Sequence, residues 1–239
     1  MTIRADLHIH TVLSPCGDLD MSPRNIIRAA RQKGLDLIGI TDHNSTRQAG
    51  IIREIGEKAG IKVLTGVEIT TQEEIHCVAF FPNDRLLQAF QAYLDSHLPD
   101  IANAPERFGY QVVADEEDQI LYEEKKLLLS ALDQPIDRIE QQVRTLHGIF
   151  IPAHIDKPRF SLLSQLGFIP PDLPFDALEL SPHTSPRAFL QSNKHLSGNP
   201  FIQSSDAHYP EDIGKVFTLL AVENFEFEAI RQAIKKMIY

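Results

Sequence analysis

The sequence predicts an α/β fold in which parallel strands, joined by crossover helices, close or nearly close into a TIM-like barrel. Three observations carry that prediction. Apolar runs alternate with helix-patterned segments along most of the 239 residues. Several of these runs finish in a metal-binding side chain: Arg4-Ala5-Asp6-Leu7-His8-Ile9-His10, Ile38-Gly39-Ile40-Thr41-Asp42-His43, Val63-Leu64-Thr65-Gly66-Val67-Glu68, Ile149-Phe150-Ile151-Pro152-Ala153-His154 and Gln203-Ser204-Ser205-Asp206-Ala207-His208. The C-terminal ends of barrel strands are where such folds keep their chemistry. In the first and last runs the polar side chains stand two residues apart, so strand alternation projects Asp6, His8 and His10 from one face, and Asp206 with His208 likewise.

Taken in order, residues 2–10 read as a strand. Ser22-Pro23 supplies an N-cap and an N1 proline to a helix that Gly34 stops. Residues 35–42 form the next strand. Residues 45–59 form a helix with Ile51, Ile52 and Ile55 on one face and Gly60 at its end. Further strands are expected at 62–70, 75–81, 149–154, 176–181, 200–205 and 215–222, with helices near 84–96, 135–147, 185–193 and 225–238. The rhythm breaks between residues 99 and 130. There Tyr110 to Leu121 reads as two short strands around the acidic turn Asp115–Asp118, a hairpin inserted at the rim of a single 1–239 domain.

Bulk composition narrows the class. With 43% hydrophobic residues the chain can form one sizeable core. No run approaches the roughly 18 apolar residues of a membrane span, and the chain begins directly with strand sequence, so a soluble cytoplasmic protein without a membrane partner is expected. Two cysteines, Cys16 and Cys77, are too few for a disulfide framework. A net charge of −10 argues against broad electrostatic capture of nucleic acid. Oligomeric state has no sequence signature here.

A lone histidine in a strand is ordinarily a core or surface residue. Here His8, His10, His43, His76, His154 and His208 accompany Glu68 and Asp206 where a barrel would converge them, which points to a metal centre. His97, His147, His183 and His195 lack that setting and read as structural or solvent-facing, with His183, after a rim strand, the most plausible exception.

Asp6-Leu7-His8-Ile9-His10-Thr11, Thr41-Asp42-His43, Gly66-Val67-Glu68, Pro152-Ala153-His154 and Ser205-Asp206-Ala207-His208, in this order, resemble the successive motifs of the PHP (polymerase and histidinol phosphatase) family from residue 3 to about 222. The resemblance implies a distorted (β/α)7 barrel holding two or three divalent ions, Zn²⁺, Mn²⁺ or Fe²⁺, and hydrolysing phosphate esters. By the same resemblance His8, His10 and Asp206 hold the first ion with Glu68 bridging, His43 and His208 belong to the second, and His76 and His154 join Glu68 around the third. Histidinol phosphatase-like relatives continue the first motif with Cys-Gly-His, where this chain has Cys16-Gly17-Asp18. Asp18 is therefore expected to ligate through oxygen at the second ion, which would favour harder metals such as Mn²⁺, and Cys16 to be structural or to stand beside the ligands, with ligation by Cys16 itself the alternative. Asp6 and Asp42 are expected beside the ligands, Asp6 orienting an imidazole.

Three divalent ions would bring about +6 against about −3 from Asp18, Glu68 and Asp206, making the rim a local anion trap. The expected reaction is attack of metal-bound hydroxide on a phosphate ester, with Glu68 bridging and Asp206 or His208 passing the proton. Arg159 and Lys157 are the candidate phosphate-binding residues. A small phosphorylated metabolite is the expected substrate. A nuclease or nucleotide bisphosphate hydrolase is the enzymatic alternative, and a non-catalytic metal-binding structural module the other.

Overall fold

The computed structural model describes residues 1–239. β1 (Thr2–Ile9), α1 (Pro23–Gln32), β2 (Leu37–Ile40), α2 (Ala49–Ala59) and β3 (Lys62–Thr70) follow the expected alternation, and β4 (His76–Phe80) leads to α3 (Asp84–His97). The insertion contributes α4 (Pro105–Phe108), β5 (Val112–Ala114) and β6 (Ile120–Glu123). After it come α5 (Ile136–Thr145), β7 (Ile149–Pro152), α6 (Leu162–Leu166), β8 (Leu178–Leu180), α7 (Pro186–Ser192), β9 (Phe201–Gln203), β10 (Thr218–Ala221) and α8 (Phe227–Lys235).

The main sheet has six strands in the order β10-β1-β2-β3-β4-β7, and β8 pairs with β9 in parallel. β1, β2 and β3 are parallel neighbours. The all-parallel expectation fails at β4 and β10: β4 is antiparallel to both β3 and β7, and β10 is antiparallel to β1. The reason at β4 is length, because residues 71–75 alone join β3 to β4, and a parallel return needs a crossover of a dozen residues or more. The sheet nevertheless curls towards a ring. Phe150 O accepts from the Asp176 amide at 2.9 Å and Glu179 O from the Ile155 amide at 2.8 Å, linking β7 to β8. Beyond β9, His10 N donates to Ala207 O at 3.0 Å and Ala207 N to His8 O at 3.2 Å, which brings the chain back to β1.

The interior floor is apolar. Leu7, Leu37, Leu64, Phe80, Ile151 and Ile202 belong to one buried cluster. Phe80 is fully buried, and two glycines on neighbouring strands make room for its ring: a Cβ on Gly39 would lie 2.7 Å from it and one on Gly66 2.5 Å. Glycine here serves close approach of a side chain rather than a special backbone angle.

Two helix starts differ from expectation. Ser22 is extended at the N-cap of α1 but its hydroxyl makes no capping bond, so the proline at the first helical position begins the helix by its fixed φ and missing N–H. α2 begins at Ala49 rather than near residue 45, because the preceding polar residues are buried and committed elsewhere. Thr46 donates its amide and hydroxyl to Gln91 at 2.6 and 2.9 Å, and Gln48 exchanges two hydrogen bonds with the backbone of Ala114 in β5. The β5–β6 hairpin is antiparallel, as expected. Asp115 spends Oδ1 on the amides of Glu117 and Gln119, so it closes the turn. The hairpin leans on the loop after β1 through a Val112 N to Val12 O bond of 3.1 Å. No helix is long and apolar enough to cross a membrane.

Candidate metal centre

Glu68, near the end of β3, sits at the middle of the rim. Its carboxylate has the Nε2 atoms of His8 and His10 at 3.4 and 3.3 Å, His43 Nδ1 at 3.2 Å, His76 Nδ1 at 2.9 Å and His154 Nε2 at 3.1 Å. Asp206 Oδ1 lies 3.5 and 3.4 Å from the same Nε2 atoms of His8 and His10. The reversed β4 is what places His76 here. An antiparallel strand starts where its neighbours end, so its first residue reaches the rim to which β1, β3 and β7 deliver their last.

These separations suit ligands around shared ions. Metal–nitrogen bonds of about 2.0–2.1 Å in tetrahedral array imply donor–donor edges of roughly 3.3–3.4 Å. His8 Nε2, His10 Nε2, His43 Nδ1 and His154 Nδ1 are buried with no hydrogen-bond partner, a costly arrangement for polar atoms and the signature of missing positive charge at the first three, which face the carboxylates. Three groups of donor atoms lie mutually within 4.8 Å: His8, His10 and Glu68; His43, Glu68 and His76; and His10, Cys16, His43 and His208.

The opposite ring nitrogens are tied down. His8 Nδ1 donates to Glu179 Oε2 at 2.8 Å, and the same oxygen accepts the His154 amide at 3.2 Å. His10 Nδ1 donates to Ser14 Oγ at 3.0 Å, because the Ser14 hydroxyl donates onward to Asp42 at 2.6 Å. His208 Nδ1 donates to the Asp206 carbonyl at 2.8 Å. In all three rings Nδ1 is the committed donor, so Nε2 is the nitrogen that offers a lone pair to a metal once any proton on it has left.

Asp42 accepts from Thr11 N at 2.7 Å and Thr11 Oγ1 at 2.8 Å as well as from Ser14, so it braces the first motif and reaches His10 through Ser14. Asp6 does not touch an imidazole. It takes the amide and hydroxyl of Ser205 and the amide of Gly214, and thereby anchors the segment carrying Asp206 and His208; burial pushes its carboxyl up to about 6. The carboxylate that orients His8 is Glu179, which sequence reasoning passed over. It lies next to the end of β8 as Glu68 lies near the end of β3, and the strand-end rule that selected Glu68 would have found it.

Electrostatics follow from this packing. Burial alone would push Glu68 up, yet His76, His8 and His43 hold it well below the usual carboxylate range. Asp206 is likewise pushed up by burial and outweighed by His8 and His10. Burial lowers His8 and His10, but the facing carboxylates prevail and raise His8 well above its ordinary value and His10 to about 8. His208 goes the other way, down to about 4, through burial and then the neighbouring His10. His154 and Asp206 adopt left-handed backbone, φ 31° and 51°, strain that persists because both are fixed where the chain leaves its strand.

Asp18 is not brought into this arrangement. Its Oδ1 accepts the Asp20 amide at 2.8 Å in an exposed turn, while its own amide donates to His208 O at 2.9 Å. Cys16 stands with His10, His43 and His208 instead. Around the centre opens a cavity of 320 Å³ lined by His43, His76, Lys157, Arg159, Phe160 and Asp206 among others. Lys157 pairs with Asp206 Oδ2. Phe160, which no motif singles out, stacks on His76 with centroids 4.9 Å apart and planes at 13°. His97, the last residue of α3, pairs with Asp133 and joins none of the donor groups.

A curled α/β sheet whose rim gathers six histidines and two acids defines a class of metal-site hydrolase folds. The chain belongs to the PHP domain family, whose model matches residues 6–162, and residues 192–237 match a model described as PHP-associated. It is similar to the uncharacterized protein YqxK of Bacillus subtilis, 27% identical over 98% of this chain and 62% of that one. A phosphoribosyl 1,2-cyclic phosphate 1,2-diphosphodiesterase of Eggerthella lenta is 29% identical over 28% of this chain and 25% of its own. Among solved structures, the lesion-specific endonuclease Q of Pyrococcus furiosus shares the fold, with TM-score 0.70 and 22% identity over 98% of this chain and 56% of that one. The chain thus spans less than two thirds of each of these relatives.

Proposed function

We propose that this chain hydrolyses phosphate esters, with divalent ions held by His8, His10, Glu68 and Asp206, by Glu68, His76 and His154, and by His43 and His208. The observation that carries this reading is Glu68, a fully buried carboxylate with five imidazole nitrogens at 2.9–3.4 Å, several of them without hydrogen bonds. When bound, such ions supply Lewis acidity that activates water and neutralises phosphoryl oxygens.

The chain's own residues supply the rest. Arg159 and Lys157 line the cavity and take the phosphate, as the two cationic side chains among its lining residues. Asp206 divides its oxygens, Oδ1 towards His8 and His10 and Oδ2 towards Lys157. Asp206 Oδ2 takes the proton from the attacking water and passes it to the departing oxygen, while Lys157 stays a cation beside it. His8 and His10 are held in the binding tautomer by Glu179 and Ser14. A cavity of 320 Å³ suits a small phosphorylated metabolite, and the net charge of −10 disfavours broad electrostatic capture of a polynucleotide.

The test is metal analysis of the purified chain with a panel of phosphomonoesters, dinucleotides and single-stranded oligonucleotides. Turnover of phosphomonoesters that chelation abolishes and metal restores is the expected result. Preference for the oligonucleotides would move the chain to the nucleases, and bound metal without turnover would make it a structural module. Glu68→Gln keeps the shape but removes the charge, and is expected to lower metal content and to cost at least about a hundredfold in kcat/KM, more than the loss of an outer partner would.

A further inference from the structure

We propose that Cys16, as thiolate, is the ligand that completes the site of His43 and His208, and that it makes this ion a soft one, Zn²⁺-like rather than Mn²⁺-like. The inference rests on the metal reading above.

The loop between β1 and α1 decides which residue reaches the histidines. Ser14 N donates to Thr11 O at 3.1 Å and Gly17 N to Ser14 O at 2.9 Å, two consecutive tight turns. At Gly17 the chain passes so close to itself that a Cβ would stand 2.5 Å from Thr11 O, so residue 17 carries no side chain. On one side of that glycine, Cys16 is exposed at the mouth of the centre with its sulfur within 4.8 Å of donor nitrogens of His10, His43 and His208. On the other, the half-buried Asp18 spends Oδ1 on the Asp20 amide and joins no such group. His43 Nδ1 is buried without a hydrogen-bond partner, and the His10 ring lies 4.6 Å from that of His43 and 4.3 Å from that of His208. His10 and His43 therefore call for a cation for reasons independent of the cysteine. Thiolate with imidazoles selects Zn²⁺ or Co²⁺, whereas the carboxylate expected at this ion would have selected harder metals. The other cysteine, Cys77, is buried in β4 and packs in the core, so it provides an internal control.

The experiment is Co²⁺ titration of the metal-stripped full chain, read by absorption and by metal-to-protein stoichiometry, with no turnover involved. A near-ultraviolet thiolate-to-cobalt charge-transfer band that saturates with a single ion is expected. Cys16→Ser should lose the band and one bound ion. Cys16→His should keep the ion without the band, which separates ligation from folding of the loop. Asp18→Ala and Cys77→Ala should keep both. Cobalt bound with no thiolate band, or a band that survives Cys16→Ser, overturns the Cys16 assignment alone. Failure of the wild-type chain to bind cobalt at all overturns the metal reading with it.

Discussion

The floor and the rim of this sheet are built by the same strands, yet they answer to different rules. On β1, Leu7 packs into the apolar floor while His8, its neighbour, faces Glu68; on β3, Leu64 is floor and Glu68 is rim; on β4, Phe80 is floor and His76 is rim. Floor positions need volume, and the ring of Phe80 is matched by the missing side chains of Gly39 and Gly66. Rim positions need direction, because each imidazole has one nitrogen tied to an oxygen and the other turned to the centre. Loss of volume is felt throughout the fold, whereas loss of direction is felt by the ions alone.

The sharpest way to break this division is at Phe80. Phe80→Ala empties the floor between two glycines that cannot fill it, and should destabilise the chain by about 3–5 kcal/mol. The urea midpoint should fall while metal stoichiometry at saturation stays the same; a drop in stoichiometry would mean that floor and rim are not separable. A smaller effect is expected at Glu179, whose Oε2 orients His8 and the His154 amide. Glu179→Gln keeps an acceptor and removes the charge, so metal affinity should weaken by about ten- to a hundredfold, with the fold of the metal-stripped chain retained on circular dichroism. Unchanged affinity would remove Glu179 from the centre.

The smallest effect is a proton count. Burial lowers His10, but Asp206 and Glu68 raise it to about 8, so in the metal-stripped chain it carries a proton at pH 7 that an incoming ion must displace. Adding Zn²⁺ in weak buffer should release protons at pH 7, and fewer as the pH is raised through 8. Release that does not fall with pH would place the raised imidazole elsewhere.

Much of the rim was legible as spacing. His8 and His10 share a strand face, and Glu68, His154 and Asp206 come at or just beyond strand ends, so local alternation and the strand-end rule sufficed. Glu179 obeys the same rule and was legible in principle. The direction of β4 was also written in the five residues 71–75, too few for a crossover. Other features were not legible. Nothing local tells that Asp6 would hold Ser205 and Gly214, nearly the whole chain away, instead of an imidazole. Nor does Cys16-Gly17-Asp18 say which of its two donors stands beside the histidines, since that depends on how closely residue 17 passes the Thr11 carbonyl.

The sequence by itself determined the alternation of strands and helices, the inserted hairpin, the family and most of the side chains at the rim, because these follow from periodicity and neighbour spacing. Only the tertiary structure decided which strand runs backwards, which carboxylate steadies His8, and that Cys16 rather than Asp18 stands among the histidines. Those are matters of distance between segments remote in sequence, fixed by hydrogen bonds and close contacts that exist only once the sheet has curled.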